Sequence, residues 1–135
     1  QAEAMSLGAH KVVASTDSKA LKAIAGTLDF LLVTASADLD WNAMLATLRD
    51  KGRLHFVGIV PNAIPTHVFN LIPQQKSLSG SPVGSPKTMA TMLEFCARHQ
   101  ILPQVEHFPM SQVNAAIDHL RSGKARYRVV LDASK

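Results

Sequence analysis

Phe30-Leu-Leu-Val33 is apolar at four consecutive positions, with no alternation between wet and dry faces. A strand that reads this way is expected where both faces are covered, as in a parallel sheet. Leu54-His-Phe-Val57 is a second strand of buried type. Between them Trp41, Met44, Leu45 and Leu48 recur at i, i+3, i+4 and i+7 and mark one face of a helix, with Asp38 or Asp40 as its cap and Gly52 as its stop. Strand, helix, strand is the parallel crossover, so the fold class is α/β.

The rest of the chain continues the alternation. Ala2 to Leu7 reads as a helix closed by Gly8 in a left-handed conformation. His10-Lys-Val-Val-Ala14 reads as a short strand, and Asp17 or Ser18 caps a helix through Leu21 and Ile24 that Gly26 stops. Phe69, Leu71 and Ile72 suggest a short helix ended by Pro73. Ser77-Leu-Ser-Gly-Ser81 is a weak strand whose small residues suit a sheet edge or a close backbone approach. Ser85-Pro86 starts a helix with Met89, Met92, Leu93 and Cys96 on one face. Val105 to Phe108 is extended. Ser111 caps a last helix, with Val113, Ala116, Ile117 and Leu120 inward and Gly123 at its end, and Arg128-Val-Val-Leu131 is a strand. No internal repeat or low-complexity linker interrupts this single α/β unit.

Composition narrows the function classes. The 135 residues carry a net charge of +4, and the only dense basic group is Lys124, Arg126 and Arg128 beside Tyr127. Nucleic-acid binding needs basic charge gathered on a face and interleaved with aromatics, so we expect no nucleic-acid partner. No run reaches the roughly 18 apolar residues of a membrane span, and the first residues lack the pattern of a signal peptide. The start at Gln1 rather than Met points to translation beginning upstream. A single cysteine, Cys96, permits no intrachain disulfide, and the cytoplasm is the expected compartment.

Side-chain chemistry is sparse. The six histidines form neither H-x-H nor H-E-x-x-H, so no metal site is expected within the chain. His99 and His119 read as surface histidines and His55 as a hydrogen-bonded core histidine. Cys96 reads as a small hydrophobe. Neither G-x-G-x-x-G nor a P-loop occurs. What stands out are two strand ends followed by small residues, Val33-Thr-Ala-Ser36 and Val57-Gly58-Ile59. Ligands of open parallel sheets bind outside the carboxyl ends of strands.

From Leu7-Gly-Ala9 onward the chain resembles the second half of a zinc-type, medium-chain alcohol dehydrogenase of the cinnamyl alcohol dehydrogenase and bacterial aldehyde reductase branch. The resemblance rests on Leu7-Gly-Ala9, Asp29-Phe-Leu-Leu-Val-Thr-Ala-Ser36, Lys51-Gly-Arg-Leu-His-Phe-Val-Gly58, Lys76-Ser-Leu-Ser-Gly-Ser81 and Arg126-Tyr-Arg-Val-Val130, in that order. It implies a partial Rossmann-like parallel sheet over residues 1–104, lacking its first two strands. Residues 105–135 would return a helix and strand to the catalytic domain.

It further implies hydride transfer between NADP, or NAD, and a small alcohol or aldehyde, with zinc held by residues absent from this chain. The carbonyls of Val57 and Ser81 and the amide of Val83 would hold the nicotinamide carboxamide. Thr34, Ala35, Gly58 and Ile59 would line the cofactor cleft, and Arg128, or else Arg126, would meet the pyrophosphate. The edge strand from Ser77 to Val83 would join two subunits in a homodimer. On this reading the chain is a piece of a longer enzyme and is inactive alone. The alternatives are a zinc-free quinone-reductase-like enzyme and a non-catalytic binding or oligomerisation module.

Overall fold

A computed structural model describes residues 1–134. The chain is α/β and forms two compact units, residues 1–83 and the part from Gly84 onward. The first unit contains α1 (Ala2–Ser6), α2 (Ser18–Ala23), β1 (Leu28–Val33), α3 (Trp41–Thr47), β2 (Leu48–Phe56) and β3 (Ser77–Gly80). Its sheet has the order β1-β2-β3 and is parallel throughout.

Local chemistry accounts for most of these boundaries. The Asp17 side chain accepts from the amides of Lys19 and Ala20 and so starts α2, while Gly26 takes a φ of 67° beyond its end. Asp40, not Asp38, caps α3 through the Ala43 amide at 2.9 Å. Leu21, Val33, Trp41, Met44, Leu45, Leu48 and Leu54 then form the core between the two helices and one sheet face. Burying each large side chain of this kind stabilises the fold by about 1.5–3 kcal/mol.

Helix α3 stops at Thr47, five residues before the expected stop at Gly52, and Leu48 already belongs to β2. The reason is visible in the register. Leu28 pairs with Leu48 but Phe30 pairs with Arg53, so residues 49–52 bulge out of the ladder. A Cβ on Gly52 would lie 2.8 Å from the Arg49 carbonyl oxygen and 2.9 Å from the Leu48 Cβ. Gly52 therefore closes a bulge inside a strand.

Two further expectations are corrected. No strand forms over residues 10–14. A strand needs a neighbour to receive its ladder bonds, and this segment pairs with none of the described strands; Val13 packs against the core and the Ala14 carbonyl accepts from the Asp17 amide. An apolar groove of about 310 Å³ lies there, lined by Val13, Leu21, Ile24, Leu28, Leu31 and Met44 among others. Nor is β1 covered on both faces, because Phe30 and Leu32 remain 51% and 50% exposed. Helices α2 and α3 cover only the face that bears Val33 and Leu54.

The second unit contains α4 (Pro86–Arg98), β4 (Val105–Pro109), α5 (Val113–Arg121) and β5 (Arg128–Asp132). Ser85 caps α4 through the Thr88 amide, with Pro86 in the first turn. Strands β4 and β5 pair in parallel around α5. Ser111 does not cap α5. It sits inside a 3-10 turn, Met110–Gln112, that enters the helix, and α5 has no side-chain cap. Gly123 follows its end at a φ of 70°. His119 is not a free surface histidine: it is half-buried, and its Nε2 lies 2.6 Å from a Glu106 carboxylate oxygen. Glu106 also accepts from the Arg126 amide, and that bond foremost holds its carboxyl below the usual glutamate range.

Candidate functional site

The site begins where the first unit's ladder ends. Ser81 donates its amide to the Phe56 carbonyl at 3.1 Å, one residue past β3. A regular parallel ladder would next run from the Gly58 amide to the Ser81 carbonyl. Instead the amides of Val57 and Gly58 both donate to the Val33 carbonyl, each at 3.0 Å. Two donors on one acceptor turn the chain out of the ladder. Among the described residues, no backbone hydrogen bond then engages the carbonyls of Val57 or Ser81 or the amide of Val83.

Gly58 makes this turn possible. A Cβ there would lie 2.7 Å from the carbonyl oxygens of both Thr34 and Ala35. The small residue serves the close approach of the chain's own backbone at the end of β1. Thr34 and Ala35 thus abut Gly58 from behind, while Val57, Gly58, Ile59, Ser81 and Val83 line one open groove of about 580 Å³ with Phe56. Ile59 and Val83 are 84% and 93% exposed, so apolar walls flank the free main-chain groups.

The surrounding side chains are fixed. Asn62 donates to Asp38 at 2.6 Å and ties together the loops that follow β2 and β1. His55 hydrogen bonds through both ring nitrogens, Nδ1 to the Ser79 hydroxyl at 2.8 Å and Nε2 to the Ser81 hydroxyl at 2.9 Å. Its ring also stacks on Phe30, with centroids 6.0 Å apart. His55 is hydrogen-bonded as expected, but it is half-buried and lies on the open sheet face rather than in the core. Sequence reading missed its partners. The signal was there in the pairing, since Ser79 is the register partner of His55 and Ser81 lies two residues on, on the same face.

Arg128 lies in the second unit, at the start of β5, where it is exposed beside a pocket shared with Pro103, Gln104, Leu120, Tyr127 and Val129. Arg126 spends one guanidinium nitrogen on the carbonyls of Gly123, Lys124 and Ala125. Among the described residues, no group of three or more His, Cys, Asp or Glu side chains could hold a metal ion, and no helix is long and apolar enough to cross a membrane.

A parallel α/β sheet with a groove at the carboxyl ends of its strands is a Rossmann-like arrangement. Comparison with known proteins makes this specific. Residues 1–98 match the family described as zinc-binding dehydrogenase, and the chain belongs to that family. It is 48% identical to an aldehyde reductase of Synechocystis sp. over all 135 residues, which make up 40% of that protein. Cinnamyl alcohol dehydrogenase of Sorghum bicolor superposes with a TM-score of 0.87 at 33% identity, over 98% of this chain and 38% of that one. A CAD from Helicobacter pylori, complexed with NADP(H), superposes with a TM-score of 0.65 at 31% identity, over 80% and 32% of the two chains. The chain thus spans between about a third and two fifths of the length of these relatives.

Proposed function

We propose that this chain supplies the nicotinamide cradle of an enzyme that transfers hydride between NADP(H) and a primary alcohol or aldehyde. One observation carries the reading. The groove offers two carbonyl acceptors, Val57 and Ser81, and one amide donor, Val83, outside the ladder. A primary carboxamide presents the complementary set, two N–H donors and one oxygen acceptor. The exposed apolar side chains of Ile59 and Val83 suit the flat ring that bears it. When bound, the nicotinamide supplies the hydride chemistry. The chain's own groups orient it, and because they are backbone atoms on a closed turn, little order is lost on binding.

Arg128 is proposed as an anion contact for the pyrophosphate. A guanidinium suits bidentate binding to phosphate oxygens, and Arg128 has no ion pair among the described residues, whereas Arg126 already serves its own turn. NADP is preferred to NAD because the CAD of Helicobacter pylori was solved with NADP(H).

Among the described residues no group of side chains could hold zinc, and we assign the zinc ligands to residues outside this chain. Residues 1–104 form part of the dinucleotide-binding domain, and residues 105–135 form a segment of the catalytic domain. The apolar groove beside the edge of β1, which is unpaired among the described residues, is where further strands would pack, and the chain alone is proposed to be inactive. The outer edge of β3 joins a second subunit, and the protein works in the cytoplasm.

Ser81→Pro tests the cradle, since it removes the amide that holds Ser81 to Phe56. In the complete protein the Michaelis constant for the dinucleotide should rise while that for the alcohol changes little. An unchanged constant for the dinucleotide would remove Ser81 from the site.

A further inference from the structure

We propose that His55 is a positioning residue that sets the nicotinamide turn by clamping Ser81 to the sheet. The inference rests on the carboxamide reading of the groove. Ser81 lies one residue beyond a four-residue edge strand, where pairing is weakest and fraying is expected. One bond, from its amide to the Phe56 carbonyl, holds its backbone to β2. The His55 Nε2 contact to the Ser81 hydroxyl at 2.9 Å adds a second tie, and the Nδ1 contact to Ser79 at 2.8 Å anchors the same ring one rung earlier.

Each tie uses a different ring nitrogen. A neutral imidazole donates from one and accepts at the other, and a hydroxyl can serve either role, so both contacts are satisfied together. Stacking on Phe30 fixes the plane of the ring. His55 itself does not line the groove. It acts through Ser81, whose carbonyl is one of the two proposed carboxamide acceptors.

Three variants of the complete protein test this: His55→Phe, which keeps a ring over Phe30 but loses both contacts, His55→Asn, which keeps one polar arm, and Ser79→Ala. Two readouts are needed. Amide hydrogen exchange of the cofactor-free protein at Ser81 reports the clamp, with Leu54 as the control for global folding. Affinities for NADPH and for 2′-phospho-ADP-ribose, which lacks the nicotinamide, report its consequence.

With His55→Phe, Ser81 exchange should speed up by at least tenfold while Leu54 stays protected. NADPH should bind roughly three- to tenfold more weakly, as expected for lost hydrogen bonds, and the shorter ligand should bind as before. His55→Asn should recover part of the loss, and Ser79→Ala should fall between. Unchanged exchange at Ser81 would overturn the clamp. Equal losses for both ligands would overturn the positioning role and leave a structural one. If the unaltered protein binds NADPH no better than the shorter ligand, the carboxamide reading fails, and faster Ser81 exchange in His55→Phe would show the clamp standing without it.

Discussion

The two compact units hold themselves together by different means. The first buries Trp41, Met44, Leu45, Leu48, Leu54 and their neighbours in one apolar core, while in the second Ala116 is the one buried hydrophobic side chain among the described residues. The second relies instead on its β4–β5 ladder and on the Glu106 carboxylate, which joins a strand, a helix and a turn. Its long helix α4 leaves Met89, Met92, Leu93 and Phe95 open. The lesson is that the proposed cradle stands on the unit with its own core, where backbone atoms can be held in place without help from a ligand.

The contrast can be broken by substitution. Leu54→Ala should have the largest effect, lowering the stability of the first unit by about 2–5 kcal/mol in denaturant unfolding, because Leu54 is fully buried. A loss below about 1 kcal/mol would mean that the core is not the support described.

Lys76→Ala should come next. Its buried ammonium donates to the Leu45 carbonyl at 2.8 Å near the end of α3, and burial lowers its pKa against the opposing pull of Asp50. Leaving that acceptor without a partner should cost about 1–3 kcal/mol. Since the folded form holds its proton less tightly than the unfolded chain, the unaltered protein should gain stability as pH rises through the window just below the ordinary lysine value. Lys76→Met should abolish that slope.

In the second unit, the depressed pKa of Glu106 has the opposite position on the pH axis. Its contribution is present at neutral pH and is lost as pH falls through the folded value, below the ordinary glutamate range. The protection of the Arg126 amide against exchange, taken relative to its intrinsic rate at each pH, should therefore fall on acidification, and Glu106→Gln should remove that dependence. The smallest effect is expected at Leu93→Ser on α4, within about 0.5 kcal/mol, because Leu93 is 60% exposed.

Where local chemistry decided the outcome, the sequence was a good guide. Asp17, Ser85 and Gly8 act at or near the ends of their helices much as their residue types suggest, and β1, β2 and β3 lie close to the apolar runs that announced them. Where the outcome depended on a distant partner, it was not. Val12 and Val13 have the composition of a strand but no neighbour to pair with among the described strands. Gly52 reads as a helix stop because nothing local reveals that Leu28 and Phe30 impose a bulge.

The site divides in the same way. Strand ends followed by small residues pointed to Val57 and Gly58. The freed carbonyls depend on how Gly58 meets Thr34 and Ala35, and the clamp depends on the register of His55 with Ser79. Main-chain groups leave no side-chain motif, so only the family resemblance could indicate Ser81 and Val83 beforehand.

The most direct test of the cradle follows individual backbone amides of the complete, isotope-labelled protein by NMR during titration with NADPH and, separately, with 2′-phospho-ADP-ribose. The Val83 amide should shift strongly with NADPH and barely with the ligand that lacks nicotinamide. A Val83 amide that stays silent while amides elsewhere respond to NADPH would contradict the assignment of this groove to the carboxamide.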